Sequence, residues 1–465
     1  MKKLLILIGL AAASASQAQY PTVNWYFGNK SAITFNTNPP TPVAGCMINS
    51  GESCASISDN SGNLLFYSDG VKVYNRNNII MPNGNSLPGN TSSSQGALIV
   101  PKPGSAGIYY LFTVPEQGQA GSAAFTVIDM TLNAGMGDVT SGGSSLLASS
   151  TEKMAATRHT NGTDVWVLMH EFNTNNFYAY LVTAAGVSTT PVISACGSVN
   201  GPSNNDKIGC IKISPCGNKA AATLCYDNIL ELYDFNASTG VVSNAMQIAN
   251  LNFTSFYLYG IEFSPNSNLL YASCWGPDIL LQYDISSGSL PAIQASVDTI
   301  HYTSSGKPWG ALQAGPDGRI YLAFGTLDSL ACITNPNMPG AACNFVRNYM
   351  SSGGLSCQYG LPQFISSYFC GLNVGTHNPD ETNSINSMYP NPASTSLTIS
   401  LNANTNSSTQ IIIINTLGAN VYSATIPASA AANDITIPLT HFSNGVYFLH
   451  VQDKNGVQVR KFMVE

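Results

Sequence analysis

Three copies of a short β-unit follow one another in the middle of the chain. Each copy places a proline in the turn between two apolar strands, and these prolines, Pro215, Pro265 and Pro316, lie 50 and 51 residues apart. A sheet of three or four strands is too small to be stable alone, so such units have to stack on one another. A repeat of about 50 residues built from short strands is typical of a β-propeller.

Earlier units with the same turn chemistry begin at Glu52, Ala97 and Glu152, which gives six full units. Two apolar segments remain, 24–28 and 361–369, one at each end of the repeat region. A propeller closes without an open edge when the first and last parts of the chain share one blade. We therefore expect seven blades, the seventh formed from both segments, with six blades as the alternative.

The charge composition narrows the choice of partners. Charged residues make up 9% of the chain, the formal net charge is −7 and the pI is about 5.3. The sequence has no cluster of Lys and Arg, which is the footprint expected for binding nucleic acid. The composition therefore predicts no nucleic-acid partner.

The first residues have the pattern of a secretory signal peptide. Lys2 and Lys3 precede an apolar run, Leu4–Ala13, which is too short to span a bilayer. Small residues then lead to a predicted cleavage between Ala18 and Gln19. Residues 1–18 are thus predicted to be removed, and no later stretch predicts a transmembrane segment.

An exported chain reaches a compartment in which disulfide bonds persist. The sequence has eleven cysteines, an odd number, so at least one is unpaired within the chain. The sequence contains no Cys-x-x-Cys pattern, which is the spacing that would suggest a metal site. We therefore expect local disulfides, although the connectivity stays open; the cysteines that bracket short segments are Cys46 and Cys54, Cys332 and Cys343, and Cys357 and Cys370.

The repeat region resembles a known group of propellers. The segments WYFG, SGNLLFYSDGVKVYNRN, DVWVLMHEFNTNNFYAY, GIEFSPN and GLPQFISSYF are similar to the propeller domain of bacterial surface proteins that carry type IX secretion tails. The resemblance covers residues 20–371 and places the propeller at 19–371. It implies an architecture and no particular activity.

The composition changes after the propeller. Residues 372–387 are rich in Asn, Thr and Ser without periodicity, which predicts a linker. Residues 388–465 contain about six short strands at close spacing, which predicts a small immunoglobulin-like β-sandwich.

This second domain resembles the type A C-terminal sorting domain of the type IX secretion system. The resemblance implies delivery to the outer cell surface through the periplasm, by an outer-membrane translocon and its sortase-like protease, with attachment to lipopolysaccharide. The residues that match the family's motifs are Pro390, Asn391, Pro392, Gly418, Gly445, Tyr447, Lys461 and Phe462.

Three polar residues occupy equivalent positions in the clearest repeats. Lys212, Glu262 and Gln313 each lie three residues before the turn proline, between apolar neighbours. Equivalent positions in successive blades are neighbours in space, so the three side chains should meet near the central channel. We favour a buried network between blades, because a cation, an anion and an amide can satisfy one another. The alternative is a polar ring that binds a ligand in the funnel.

The sequence offers few residues for catalysis. It contains no Gly-x-Ser-x-Gly, His-Glu-x-x-His, phosphate loop or dinucleotide motif, and it predicts no cofactor and no metal. The only candidates are Glu262, His159 and His170. We therefore expect a surface-displayed module that binds a glycan, peptide or protein. The alternatives are a lactonase- or lyase-like propeller enzyme and a passive structural protein of the cell surface.

Overall fold

The computed structural model describes residues 20–117, 121–201, 203–251, 257–276, 278–303, 309–370, 372, 385–401, 409–415, 420–427, 434–453 and 456–465. It divides into two compact units, Met1–Val374 and Gly375–Glu465. Both units are built from antiparallel sheets. No helix in the described ranges is long and apolar enough to cross a membrane.

The described part of the first unit forms seven small antiparallel sheets, as predicted for a seven-bladed propeller. In chain order, the strands of the first three sheets are β1 Asn24–Phe27, β2 Ser31–Thr34 and β3 Thr41–Pro42; β4 Ala55–Ser58, β5 Leu64–Ser68 and β6 Val73–Asn75; β7 Ala97–Pro101, β8 Ile108–Thr113, β9 Ala123–Asp129 and β10 Asp138–Leu147.

The remaining four sheets have four strands each, like the third sheet, and the first of them has one added short strand. Their strands are β11 Ser150–Arg158, β12 Val165–Glu171, β13 Asn176–Thr183, β14 Gly186–Val187 and β15 Val192–Ala195; β16 Ile211–Ile213, β17 Lys219–Leu224, β18 Ile229–Asn236 and β19 Val241–Asn250; β20 Tyr257–Phe263, β21 Leu269–Trp275, β22 Asp278–Asp284 and β23 Asp298–Thr303; β24 Trp309–Ala314, β25 Ile320–Phe324, β26 Ser329–Ile333 and β27 Phe345–Ser351. One α-helix, α1 Leu290–Ala295, connects β22 to β23.

The turn that defines the repeat has the same hydrogen bond in each of the three clearest copies. The first residue of the turn donates its backbone N–H to the backbone carbonyl at, or one residue before, the start of the next strand. The donors are Ser214, Ser264 and Gly315, and the hydrogen bonds are 2.9, 2.8 and 2.7 Å long. The strand before each turn is buried, because it is flanked by neighbouring sheets. The repeated turn therefore gives the first strands of these three sheets equivalent positions.

The first sheet closes the ring. Asn24 donates a hydrogen bond of 2.9 Å from Nδ2 to Oγ of Ser58 in β4. On the other side, the hydroxyls of Ser31 and Ser352 are hydrogen-bonded at 2.9 Å, just after β27. The sheet β1–β3 thus joins the second sheet to the last.

The end of the propeller chain does not complete the first sheet in the way that we predicted. The strand β1 pairs with β2, while residues 359–370, here called the channel segment, contact residues in or beside the first strands of five different sheets. Only the middle of the ring is within reach of five sheets. The contacts are Tyr359 O with Ala311 N (2.7 Å), Gln363 with Gln95 (3.0 Å), the Phe364 ring with Trp25 (centroids 6.0 Å apart), a parallel bridge between Ile365 and Ala156, and Ser366 Oγ with Ser214 O (3.5 Å).

The described part of the second unit consists of two antiparallel sheets, β28-β29-β32 and β31-β30-β33-β34. Apolar side chains from both sheets, including Leu397, Ile411 and Leu449, form one core. This arrangement is a small sandwich, and the finer immunoglobulin-like assignment stays a prediction. The strands are β28 Ile385–Tyr389, β29 Ser396–Leu401, β30 Thr409–Asn415, β31 Asn420–Ile426, β32 Ile435–Pro438, β33 Gly445–Asp453 and β34 Gly456–Val464, so β28 begins inside the segment predicted as a linker.

Candidate functional site

A cavity of about 200 Å³, here called the funnel cavity, opens at one end of the ring. Glu52 and Ile208 precede the first strands of their sheets, while Trp275 ends a second strand and Tyr226 follows one by two residues. Because adjacent strands are antiparallel, these positions all lie at the same end of the sheets. The lining residues are Gly51, Glu52, Ser92, Gln117, Glu152, Ile208, Tyr226, Tyr259, Trp275 and Tyr359.

Glu52 is the carboxyl group with the most unusual acidity in the cavity. Tyr259 donates a hydrogen bond of 2.6 Å from its hydroxyl to Oε1 of Glu52. Burial, followed by the negative charge of Glu152, raises the pKa of Glu52 to about 8, and the Tyr259 hydrogen bond opposes this rise. A carboxyl with this pKa is mostly protonated at neutral pH, so Glu52 can donate as well as accept a hydrogen bond.

Glu152 is held in one orientation by its neighbours. Its Oε2 accepts hydrogen bonds of 2.8 Å from both the backbone N–H and the hydroxyl of Ser94. Its Oε1 accepts a 2.8 Å bond from the backbone N–H of Gln117. Burial raises the pKa of Glu152, and these three donors act in the opposite direction. Glu152 is therefore an acceptor with a fixed orientation, whereas Glu52 can donate as well as accept a hydrogen bond.

Aromatic rings form another wall of the cavity. The ring centroids of Trp275 and Tyr359 are 6.2 Å apart in an edge-on arrangement. Tyr257 lies between Trp275 and Tyr226, with centroid distances of 6.2 and 4.3 Å. These four rings are partly exposed. They offer flat apolar faces opposite polar groups, which suits a ligand with both kinds of surface.

Sequence reasoning missed Glu52, Glu152 and Tyr259 as site residues. The available signal was their position, because Glu52 and Glu152 each begin a repeat unit and Tyr259 begins the clearest one. Residues at the start of the first strand of a blade meet at one end of a closed ring. A comparison of the first residues of the repeat units, in addition to the residues near the turn proline, identifies the site.

The predicted trio does come together. Lys212 Nζ lies 2.9 Å from Oε2 of Glu262 and donates a 2.7 Å bond to Oε1 of Gln313. The remaining oxygen of Glu262 accepts a bond of 3.0 Å from the backbone N–H of Phe263. All three side chains are buried, and none lines the funnel cavity. They form a network between three successive sheets; their role in binding a ligand stays a prediction.

The three candidates for catalysis are not gathered in one place. His159 is in the exposed turn between β11 and β12, where its Nδ1 accepts a 3.0 Å bond from the backbone N–H of Asn161. His170 lies near the opposite end of β12, roughly 17 Å along the strand at 3.3–3.4 Å per residue. Burial, and then the charge of Lys153, lowers the pKa of His170 to about 3, so its ring is neutral. Glu262 lies on a different sheet, within the Lys212 network.

The structure shows no bond within the cysteine pairs that bracket short segments, so the local disulfides stay a prediction. None of the eleven cysteines is bonded to another in the structure, and eight of them are buried. Cys332 packs into a different apolar cluster from Cys343, although the two are close in sequence. Buried thiols of this kind behave as small apolar side chains. The described residues contain no group of three or more His, Cys, Asp or Glu placed to hold a metal ion.

The motif residues of the second unit meet at its last strand. Asn391 accepts a 3.0 Å hydrogen bond at Oδ1 from the backbone N–H of Met463, and the rings of Tyr447 and Phe462 stack with centroids 5.7 Å apart. Pro390 and Pro392 flank Asn391, Gly445 begins β33, and Lys461 lies in β34. Gly418 and the predicted signal peptide, with Ala18 and Gln19, lie outside the described residues.

Residues 387–465 match the protein family described as Secretion system C-terminal sorting domain. The C-terminal unit is a secretion sorting domain. The sorting domain directs export by type IX secretion to the cell surface or the extracellular space. This location was expected from the motifs of the tail.

The propeller is similar in fold to several solved structures, at low sequence identity. A Lactobacillus plantarum protein has 12% identity and a TM-score of 0.46, covering 73% of this chain and 99% of its own. The Pseudomonas aeruginosa periplasmic gluconolactonase has 9% identity and a TM-score of 0.41, covering 72% and 97%. The β-propeller domain of Myceliophteria thermophila Cps50 has 10% identity and a TM-score of 0.38, covering 65% and 94%. A search of the curated proteins gave no match by sequence.

Proposed function

We propose that the exported propeller binds one neutral sugar ring of a glycan in the funnel cavity. The observation that carries this proposal is that aromatic rings and carboxyl groups line the same cavity. The rings are those of Trp275, Tyr226 and Tyr359, and the carboxyl groups are those of Glu52 and Glu152. A sugar ring has apolar C–H faces that pack on aromatic rings and an edge of hydroxyls that needs hydrogen-bond partners. The volume of about 200 Å³ is below the usual range for drug-sized ligands, which favours a single ring.

The charge of the lining supports a neutral ligand. None of the described residues that line the cavity is a Lys or Arg, so these residues offer an anionic group no cation. Glu52, with its pKa of about 8, offers a carboxyl that can both donate and accept at neutral pH. Glu152 and the Tyr259 hydroxyl add oxygen atoms beside it. This combination matches the mixed donors and acceptors of sugar hydroxyls.

Binding is tested with the full mature chain on a panel of neutral and acidic glycans, followed by calorimetry on each glycan that binds. We expect binding of a neutral glycan, and a loss of at least tenfold in affinity in Glu52→Ala. Binding restricted to acidic glycans, or affinity unchanged in Glu52→Ala, contradicts the proposal. Asp284→Ala, an exposed acid in β22, is the matched control and should bind like the wild type.

A second candidate is an enzyme that hydrolyses a sugar lactone or glycoside. It rests on Glu52, because a carboxyl that keeps its proton at neutral pH inside a cavity can act as a general acid. Glu52→Gln separates the two functions. The amide should retain most glycan affinity, since it still donates and accepts hydrogen bonds, but it cannot transfer a proton. Turnover of a bound glycan by the wild type and its loss in Glu52→Gln support the enzyme.

The steps of export extend the same proposal. The sorting domain is recognised by the outer-membrane translocon and removed by its sortase-like protease, and the propeller is then attached to lipopolysaccharide. Deletion of residues 388–465 should leave the propeller in the periplasm, whereas Glu52→Gln should be displayed normally. Surface labelling of intact cells distinguishes these outcomes, and display of the truncated chain would contradict the role of the tail.

A further inference from the structure

We propose that Cys216 and Cys370 form a disulfide bond after export, which fastens the channel segment to the ring. The two Sγ atoms are 2.8 Å apart, within about 1 Å of the S–S bond length of 2.03–2.05 Å. Cys216 lies in the turn between β16 and β17, and Cys370 is the last residue of the channel segment. They are 154 residues apart in sequence.

Both partners are accessible to a reagent. Cys216 and Cys370 are the two exposed cysteines of the chain, while eight are buried and Cys196 is intermediate. An oxidant in solution therefore reaches this pair first, because reactivity of a thiol depends on exposure. The exposed position and the sulfur contact are independent observations that point to the same two residues.

The backbone around each cysteine is held in place. The N–H of Cys216 donates a 3.3 Å bond to the hydroxyl of Ser267 in the next sheet's turn. Cys370 follows a short 3₁₀ helix, Ser366–Phe369, in which Ser367 accepts a 3.2 Å bond at Oγ from the backbone N–H of Arg158. Two sulfur atoms presented from anchored backbones can be joined with little movement.

The oxidation balances with a disulfide as the oxidant. A thiolate of the pair attacks the disulfide of a periplasmic thiol–disulfide oxidoreductase, and the second thiol displaces that protein from the mixed disulfide. Two S–H bonds are lost and one S–S bond forms. The two electrons and two protons pass to the oxidoreductase, which leaves as a dithiol. The chain meets such oxidants because its route crosses the periplasm.

The cross-link would isolate the channel segment from the sorting domain. The residues after Cys370 lead to that domain, on which the secretion machinery acts. A pull on this connection would otherwise draw residues 359–370 out of the ring. With the disulfide formed, a mechanical force on this connection is transmitted from Cys370 through Cys216 to β16 and β17.

The bond is mapped on the full mature chain purified from cells without reductant. Free thiols are blocked with one alkylating reagent under denaturing conditions, and the remaining thiols are reduced and labelled with a second. Trypsin releases Cys216 in the peptide Ile213–Lys219, and chymotryptic cleavage after Phe369 separates Cys370 from Cys357. We expect both cysteines to carry the second label and to appear in one cross-linked peptide before reduction. Complete labelling by the first reagent, or a link from Cys370 to Cys357, overturns the proposal.

Two serine variants test the consequence for the channel segment. Cys216→Ser and Cys370→Ser should each release the partner as a free thiol and lower the melting temperature by several degrees, since the closed loop is long. Dithiothreitol should lower the melting temperature of the wild type by a similar amount and leave both variants unchanged. Cys196→Ser is the matched control and should retain the response to reductant. A wild type that does not respond to reductant, once the mapping finds the bond, contradicts the fastening role.

Discussion

The hydroxyl of Tyr259 and Oε1 of Glu52 are joined by a hydrogen bond of 2.6 Å across 207 residues of sequence. Tyr259 belongs to β20 and Glu52 precedes β4, so the bond connects two sheets that are separated by two others around the ring. It therefore joins two residues that line the funnel cavity. The acidity of Glu52 depends on this closure, since its buried surroundings come from several sheets at once.

The raised pKa of Glu52 predicts a pH dependence of stability. Between pH 4.5 and about 8 the folded protein keeps a proton that the unfolded chain releases, so the free energy of unfolding falls as pH rises through this range. The fall is at most about 1.4 kcal/mol per pH unit. Glu52→Gln should flatten this slope, as measured by urea unfolding at pH 5 and pH 8. A slope equal to that of the wild type would contradict the assigned pKa; Asp284→Asn is the control.

Trp275 should carry much of the glycan affinity, because its ring supplies the largest flat face of the funnel cavity. We expect Trp275→Ala to weaken binding at least tenfold in calorimetry while the folded state is retained by circular dichroism. Tyr302→Ala removes an exposed ring that does not line the cavity and should bind like the wild type. Equal affinity of the two variants would exclude stacking on Trp275.

The Lys212 network should be important for stability. Lys212→Met leaves the buried carboxylate of Glu262 without its cation, and breaking such a pair costs about 3–5 kcal/mol. Lys219→Met removes the more exposed pair with Asp234 and should cost below about 1 kcal/mol. Urea unfolding compares the two. Normal stability of Lys212→Met together with loss of glycan binding would instead favour the ligand-binding role of the trio.

The channel segment should be a structural part of the ring. Phe364 packs on Trp25 and on Phe369, with centroid distances of 6.0 and 6.2 Å. Removal of a buried aromatic side chain costs about 3–5 kcal/mol, so we expect Phe364→Ala to unfold at clearly lower urea concentration. Leu355→Ala, at a residue that is 68% exposed, should change stability by less than about 0.5 kcal/mol. Equal effects of both substitutions would place the segment outside the core.

The repeat was readable because its turn is local. Pro215, Pro265 and Pro316 stand in hairpins whose hydrogen bonds connect residues five or fewer positions apart, so sequence spacing is enough to predict the sheets and their number. The tail was recognised for a similar reason, since its motifs follow one another in order within residues 387–465.

The site was harder to predict because its contacts cross the ring. Nothing near Glu52 in sequence indicates that Tyr259 lies beside it, and that contact exists only after the ring has closed. The apolar pattern of residues 361–369 fits a β-strand and also fits an irregular segment that is buried among the inner strands. Periodicity therefore could not distinguish these two structures. The proximity of Cys216 to Cys370 depends on the same path of the chain.

Closure of the ring by Ser31 and Ser352, 321 residues apart, also affects how the protein folds. A native state that depends on contacts of such long sequence separation has a high contact order and forms slowly. The first sheet cannot dock until the last sheet has been synthesised, so a nascent chain lacks the finished propeller. Closure of the ring is therefore a step that follows synthesis of the whole propeller.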